Sequence, residues 1–468
     1  MTMTVAEKTS VLTDAKPRGG MFRAPGGGSY AVTFVLVCSL FLLWGLCNTL
    51  LDDLNKHFQN SLHVTKAQSG LVQGIWYLAY FVMAFPAGWV AKRTGYRGGI
   101  LAGLGIVIVG SLLFIPAGRV DAPQSVLFAI FLAVLFVLAT GLVFLETIAN
   151  PYTTVLGPTE TSVSRINLAQ SCNGVGSIIG PFIGATFILS QTAAVNTSNA
   201  SLYLPYLVIA GVVAVMMIIF AFAPIPELNA PEEAKNPRTP AEHVRPLGHE
   251  RHYVWGVVSQ FFYCAAQTGI FSIFINYVRD DRHMPPLPLW LTKHLPDTMK
   301  YLEGGNWHIT EYAAGVMLSG AFIFFTVGRF SGSAILRYFS PHRTLGFYAL
   351  INVGLMVLLF LNLGWLSVAA LVLSFFFMSI MYPTHFALAI RGLGGRTKFG
   401  AAGMVTAILG SGLGPISMGW IADHYGMADG FLLPLACFSI IACYGFAWSR
   451  LFARDMEPES DGAPGRTH

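Results

Sequence analysis

Twelve long apolar runs constrain this chain more than any other feature. A membrane-spanning helix needs roughly 20 predominantly apolar residues. Runs of that kind occur at Tyr30–Asp52, Gly70–Ala91, Gly99–Ala117, Val126–Leu156, Ile166–Leu189, Leu202–Phe222, Tyr253–Val278, Glu311–Leu336, Thr344–Leu363, Leu366–Ile390, Phe399–Ala422 and Gly430–Leu451. Pro151, near the end of the fourth run, predicts a kinked last turn there. The gaps between runs reach only about 30 residues, too few for an independent core. Charged residues make up 11% of the chain, against about 25% in soluble domains, so a water-facing surface could not be covered. The 28 basic and 23 acidic residues nearly balance, which argues against a nucleic-acid or other polyanion partner. The predicted fold class is all-α and integral to the bilayer, with twelve transmembrane helices.

The basic residues are distributed unevenly. Twenty lie in the N-terminal tail, the even-numbered gaps and the C-terminal end, seven in the odd-numbered gaps, and Arg329 falls inside the eighth run. The positive-inside rule then places both termini in the cytoplasm. Four of the seven (Arg279, Arg282, Lys293, Lys300) share one long loop. The first run is too long for a signal peptide and no small-residue cleavage site follows, so it reads as an uncleaved span. All six cysteines fall in apolar runs and no Cys-x-x-Cys occurs, which supports neither a disulfide framework nor a zinc site. No metal or other cofactor is expected.

Two pairs of segments repeat. Gly88-Trp-Val-Ala-Lys-Arg93 after span two matches Gly332-Ser-Ala-Ile-Leu-Arg337 after span eight. Gly176-x-x-x-Gly180-Pro181 in span five matches Gly410-x-x-x-Gly414-Pro415 in span eleven. Small residues four apart let membrane helices approach closely. The repeats divide the chain into a disordered cytoplasmic tail (1–29), an N-terminal six-helix half (30–223), a cytoplasmic linker (224–252), a C-terminal six-helix half (253–451) and a second tail (452–468). Two such halves make an alternating-access architecture with its substrate site between them near the midplane.

No phosphate-binding Gly-x-x-x-x-Gly-Lys-Ser/Thr string is present, so transport would run on an ion gradient or on the substrate's own. Ionisable residues inside spans are costly and mark function. Glu146 is the strongest, lying about five residues, or roughly 8 Å, from the middle of a run with no other charge. A lone acid there can load and release a proton as its access to water alternates; a structural carboxylate paired with a buried arginine is the blander reading. Asp52 closes the first run, where an interfacial cap is as good a reading as a midplane group. Arg329 opens the repeated turn after span eight and suits a gate-region ion pair, with Asp423 as its partner or as a solvated terminus. Arg93 and Arg337 complete the gating candidates. His385 reads most simply as a neutral, hydrogen-bonded histidine.

Amides cluster in otherwise apolar spans: Asn48, Gln73, Asn150, Asn167, Gln170, Asn173, Gln260, Gln267 and Asn276. Gln170 and Asn173 share a helix face. An amide donates and accepts together, which suits sugar hydroxyls better than ions or lipid. Trp44, Tyr77, Tyr80 and Tyr382 could stack on a sugar ring, although packing is the commoner use of a lone membrane aromatic. A drug exporter would need fewer amides. A membrane enzyme would need a nucleophile or a His–Asp pair, and His424 beside Asp423 points away from it, so no enzyme activity is expected. A non-transporting sugar sensor would use the same pocket.

Several strings together resemble the fucose:proton symporter family of the major facilitator superfamily. They are Phe41-Leu-Leu-Trp44, the Asn48…Asp52…Phe58 spacing, Gly141-Leu-Val-Phe-Leu-Glu146-Thr-Ile-Ala-Asn150-Pro151 and Asn167-Leu-Ala-Gln170-Ser-Cys-Asn173. Ala266-Gln267-Thr268, Met378-Ser-Ile-Met-Tyr382-Pro383-Thr384 and Thr397-Lys-Phe-Gly400 belong with them. The resemblance covers about Phe41 to Trp448. It implies a sugar:proton symporter of the bacterial inner membrane, with L-fucose as the first choice of sugar; a monomer is expected. It also implies that Asp52 and Glu146 are the essential carboxylates, with Glu146 the proton carrier. Gln170 and Asn173 match sugar contacts, and Trp44 and Tyr382 match cavity aromatics. With Asn48, Gln73 and Gln267 they make the expected substrate-binding set. The long loop Arg279–Thr310, His385 and Asp53 depart from the family pattern. They leave the sugar open, since relatives in this family carry glucose, galactose or amino sugars.

Overall fold

A computed structural model describes residues 20–24, 27–61, 66–184, 200–228, 246–279, 286–287, 292–303 and 306–456. Thirteen long helices follow in chain order: α1 (Ala31–Ser61), α2 (Lys66–Ala117), α3 (Gln124–Val155), α4 (Ser162–Gly184), α5 (Ala200–Phe222), α6 (Arg251–Val278), α7 (Glu311–Ile335), α8 (Pro341–Phe360), α9 (Trp365–Met378), α10 (Met381–Ile390), α11 (Thr397–Thr406), α12 (Leu409–Tyr425) and α13 (Leu432–Met456). They make twelve crossings. The long α2 turns back at Gly95 and counts twice, while α9 with α10 and α11 with α12 are each one interrupted crossing. The one sheet among the described residues is a hairpin, β1 (Lys300–Glu303) with β2 (Asn306–Ile309), inside the long loop before α7.

Sequence chemistry explains the local breaks. Gly95 has φ 78°, a left-handed conformation that only glycine adopts cheaply, and the Glu227 carboxylate fills the space a Cβ would need. Glu227 accepts from the Tyr96 and Arg97 amides at 2.9 and 3.0 Å, capping the restarted helix. Thr310 caps α7 by accepting from Ala313 N at 3.2 Å. Pro341 opens α8, where its missing N–H costs nothing. The kink expected at Pro151 does not end the helix, which continues to Val155. Breaks after Met378 and Thr406 interrupt Leu366–Ile390 and Phe399–Ala422, which the apolar pattern predicts as continuous spans.

The glycine repeat is the frame of both halves. A Cβ on Gly176 in α4 would collide with the Leu42 carbonyl of α1, and one on Gly410 with the Phe261 carbonyl of α6. Gly45 meets the Asn173 carbonyl, and Gly414 the Ala265 carbonyl. Each half therefore crosses its first helix against its fifth with backbones in contact, the geometry that small-residue spacing permits.

One end of the bundle carries Lys92, Arg93, Arg97, Arg165, Arg337, Arg343, Arg391, Arg396 and Lys398, and we call it the basic end. Arg165, a loop charge by sequence, is fully buried there. Its guanidinium donates to the carbonyls of Thr153, Thr154, Pro158 and Met21 and to the Thr161 hydroxyl, so an interior cation is held by hydrogen bonds. Residues at the edge of the expected disordered tail fold back onto the bundle, with Phe22 against Phe34 and Tyr30 N on Phe22 O. In the C-terminal half, His252 binds Asp455 at 2.7 Å and the Arg391 carbonyl at 2.8 Å, and Arg396 pairs with Glu250 at 2.7 Å. Both tails' remaining residues and 229–245 of the expected linker lie outside the described residues.

Candidate functional site

The central feature is an acid sealed between the halves. Glu146 lies in α3, a helix whose residues from Leu138 to Thr153 are all buried, and only 5% of its surface is exposed. Oε1 accepts from the Tyr382 hydroxyl of α10 at 2.6 Å, across the boundary between halves. Oε2 has no hydrogen-bond partner among the described residues. Arg329 acts on Glu146 electrostatically, but no ion pair joins them among the described residues. The structural arginine–carboxylate pairing considered from sequence is therefore not made.

Around the acid, Leu40, Phe41 and Trp44 of α1, Leu145, Glu146 and Ala149 of α3, and Gln170 of α4 line a narrow cleft. Trp44 Nε1 donates to the Tyr80 hydroxyl, and Tyr80 also sits beside Glu146. Gln170 Nε2 donates to Asn150 Oδ1 at 3.0 Å, which fixes the orientation of both amides. The cleft brings an indole, an amide and an acid together on apolar walls, and in this state it is much smaller than a sugar.

Arg329 ties this site to the boundary. Its guanidinium donates to the Gln170 carbonyl at 2.7 Å, to Asn173 Oδ1 at 3.2 Å and to the Ser379 carbonyl at 3.3 Å. It also lies over the Phe325 ring at 4.6 Å. The Ser379 carbonyl is freed by the break between α9 and α10, and Tyr263 donates to the neighbouring Met378 carbonyl at 3.0 Å. Irregular backbone at membrane depth survives where protein groups satisfy it. The break thus delivers Tyr382 to Glu146 while Arg329 and Tyr263 satisfy the exposed carbonyls.

More contacts join the halves towards the basic end. Ser333 Oγ donates to the Ser164 carbonyl at 2.8 Å, Asn167 to Thr384 at 3.3 Å, and Lys398 approaches Glu227 at 3.9 Å. Phe85 and Phe399 meet at 5.3 Å between centroids.

The expected residues distribute unequally. Trp44, Glu146, Gln170, Asn173 and Tyr382 come together. Asn48 and Gln73 are partly buried outside the cleft lining. Gln267 reaches Tyr263. Asp52 lies in α1, but its side chain is outside the described residues. Arg93 is exposed and stacks on Trp89 of its own helix at 3.9 Å, and Arg337 is exposed at the end of α7. Asp423 is exposed near the end of α12; Arg329's donors go to α4 and the α9–α10 break, so the suggested Arg329–Asp423 pair is corrected. His385 is bound by Ser259 at Nε2 and the Met381 carbonyl at Nδ1, both 2.8 Å, as expected for a neutral histidine. The sequence reading missed the Tyr382–Glu146 bond. Its only signal was a tyrosine beside a proline in an otherwise apolar span.

Comparison with known proteins agrees with this architecture. Residues 29–408 match the Major Facilitator Superfamily model. The chain is 34% identical to the L-fucose-proton symporter of Escherichia coli (strain K12) over 433 residues, 88% of this chain and 92% of that protein. It is 33% identical to the glucose/galactose transporter of Brucella abortus biovar 1 (strain 9-941) over 424 residues, 90% of this chain and 95% of that protein. A crystal structure of the MFS transporter FucP in the outward conformation superposes with a TM-score of 0.73 at 31% identity, covering 90% of this chain and 99% of that one. With a closed basic end, a repeated glycine frame and an acid at the boundary of two six-helix halves, the chain belongs to the major facilitator superfamily, in its fucose:proton symporter family.

Proposed function

We propose that the protein is a proton-coupled symporter that carries a monosaccharide, L-fucose first, into the cell across the bacterial inner membrane. The basic end faces the cytoplasm with both termini, residues 30–223 and 253–451 act as the two moving halves, and the monomer is the working unit. The observation that carries this reading is Glu146: buried, bonded across the boundary by Tyr382, and set beside Trp44 and Gln170. An ionised carboxylate with no cation paired to it among the described residues is expensive to bury, even with Tyr382, Tyr80 and Asn150 beside it. The protonated acid fits better, with Tyr382 donating to Oε1 and the proton on Oε2.

Contacts at the basic end close the cytoplasmic side, so the described state corresponds to one that loads from outside. Sugar enters from the side away from the basic end and binds Gln170, Asn173 and the Trp44 face, with Asp52, Asn48, Gln73 and Gln267 further out along the path. Binding with Glu146 protonated leaves no charge to oppose closure of the outer side. The halves then rock, Arg329 releases the Gln170 and Asn173 oxygens, and the cytoplasmic side opens. Glu146 loses its proton to cytoplasmic water, and the empty carrier returns. Arg93 and Arg337 remain at the cytoplasmic rim as gate charges, and Asp423 at the opposite rim.

The glucose/galactose relative at 33% identity favours a second reading, the same cycle with an unmodified hexose. Uptake of labelled L-fucose, D-galactose, D-glucose and N-acetylglucosamine at two external pH values, in cells lacking their own sugar permeases, tests both. Uptake of one sugar that increases at the lower pH is expected. Binding of a sugar without uptake or counterflow would instead make the protein a sensor.

A further inference from the structure

Gln260, in α6, is fully buried, and neither its Nε2 nor its Oε1 has a hydrogen-bond partner among the described residues. Buried side-chain amides are rarely left unpaired at both ends, because each lost hydrogen bond leaves a desolvated group uncompensated. Its direction follows from its neighbours. Ser259 bonds His385 of α10, the Phe261 carbonyl meets Gly410 of α12, and Trp255, round the helix from Gln260, is exposed. Gln260 therefore points into the bundle, on the same stripe as Tyr263 and Gln267.

The internal repeat says what lies at this position in the other half. Gly176 rests on the Leu42 carbonyl as Gly410 rests on the Phe261 carbonyl. Aligning Leu42 with Phe261 puts Trp44 on Tyr263, Asn48 on Gln267 and Phe41 on Gln260. Phe41 and Trp44 line the cleft beside Glu146. Gln260 thus holds the C-terminal counterpart of a cleft-lining place, yet it is absent from the cleft lining while the basic end is closed.

We infer that Gln260 is a sugar-hydroxyl ligand of the C-terminal half, shut away while the basic end is closed and exposed to the cavity when the halves part there. An amide with a free donor and a free acceptor matches a hydroxyl, which also needs both. The inference rests on the symport reading and adds a residue that would hold sugar on the cytoplasmic side of the cycle.

Gln260→Met, close in volume, tests it. Removing an unpaired amide takes away a desolvation cost, so the Tm of the purified carrier should hold or rise. Labelled L-fucose, D-galactose and D-glucose are then followed in right-side-out and inside-out vesicles. For the transported sugar, the apparent KM from the basic side should increase about ten-fold, that from the other side should change less than two-fold, and Gln260→Asn should restore part of the loss. An unchanged KM, or an equal change on both sides, overturns the inference, as does a lowered Tm with unchanged KM, which marks a structural amide. Failure of the wild-type protein to transport any of the three sugars would bring down the symport reading itself.

Discussion

The two halves share a frame and differ in what they place on it. In each, the first helix crosses the fifth with a glycine on a carbonyl: Gly176 on Leu42 in one, Gly410 on Phe261 in the other. On that common geometry the N-terminal half carries the acid, the indole and the amide that line the cleft. The C-terminal half instead supplies donors that reach across, the Tyr382 hydroxyl and the Arg329 guanidinium. The difference teaches that repetition fixes the hinge-like packing, while function comes from the positions at which the repeat is broken. A proton site made by one half and sealed by the other responds directly to their relative motion.

The most damaging way to break the comparison is at the shared frame. Gly176→Leu and Gly410→Leu each force a side chain into a backbone carbonyl, and overpacking of this kind costs about 1–3 kcal/mol or more. Both variants should lose sugar uptake and show a lowered Tm in fluorescence-detected unfolding, to similar extents. A strong effect at one site only would mean that the halves are not held alike. Smaller but sharper is Tyr382→Phe, which removes the donor that the C-terminal half supplies to Glu146. A hydrogen bond to the protonated, neutral acid is worth about 0.5–1.5 kcal/mol, so proton-coupled uptake should fall by roughly three- to ten-fold with little change in Tm, read by initial rates at two pH values. The smallest effect is expected at Asp423→Asn. The residue is exposed and is not bound by Arg329, so uptake should remain within about two-fold of wild type, as surface changes usually do.

Much of this was legible in the sequence for a physical reason. A bilayer demands about 20 apolar residues per crossing, so the twelve spans could be counted, and the turn at Gly95 falls in the gap between the second and third of them. The glycine repeat found both close crossings. The α9–α10 break had one signal, Pro383, which has no N–H to give the Ser379 carbonyl four residues back, but the freed carbonyls are satisfied by Tyr263 and Arg329 from distant parts of the chain. Arg165 was equally unreadable: its charge counted towards a cytoplasmic gap, whereas its burial depends on six backbone and hydroxyl oxygens that converge only in three dimensions. In the site, residue types identified Glu146, Gln170 and Asn173 as polar groups in apolar helices. Partnerships that cross between halves, above all Tyr382 on Glu146, carry no spacing signal, because the two residues lie 236 positions apart.

The account depends on Glu146 as the group that takes up the proton with the sugar. Sugar-induced alkalinisation of an unbuffered suspension, measured beside sugar counterflow in wild type and Glu146→Gln, tests this most directly. The expected result is alkalinisation in wild type and none in the variant, with counterflow retained because exchange needs no net proton release. Alkalinisation of wild-type size in Glu146→Gln would contradict it.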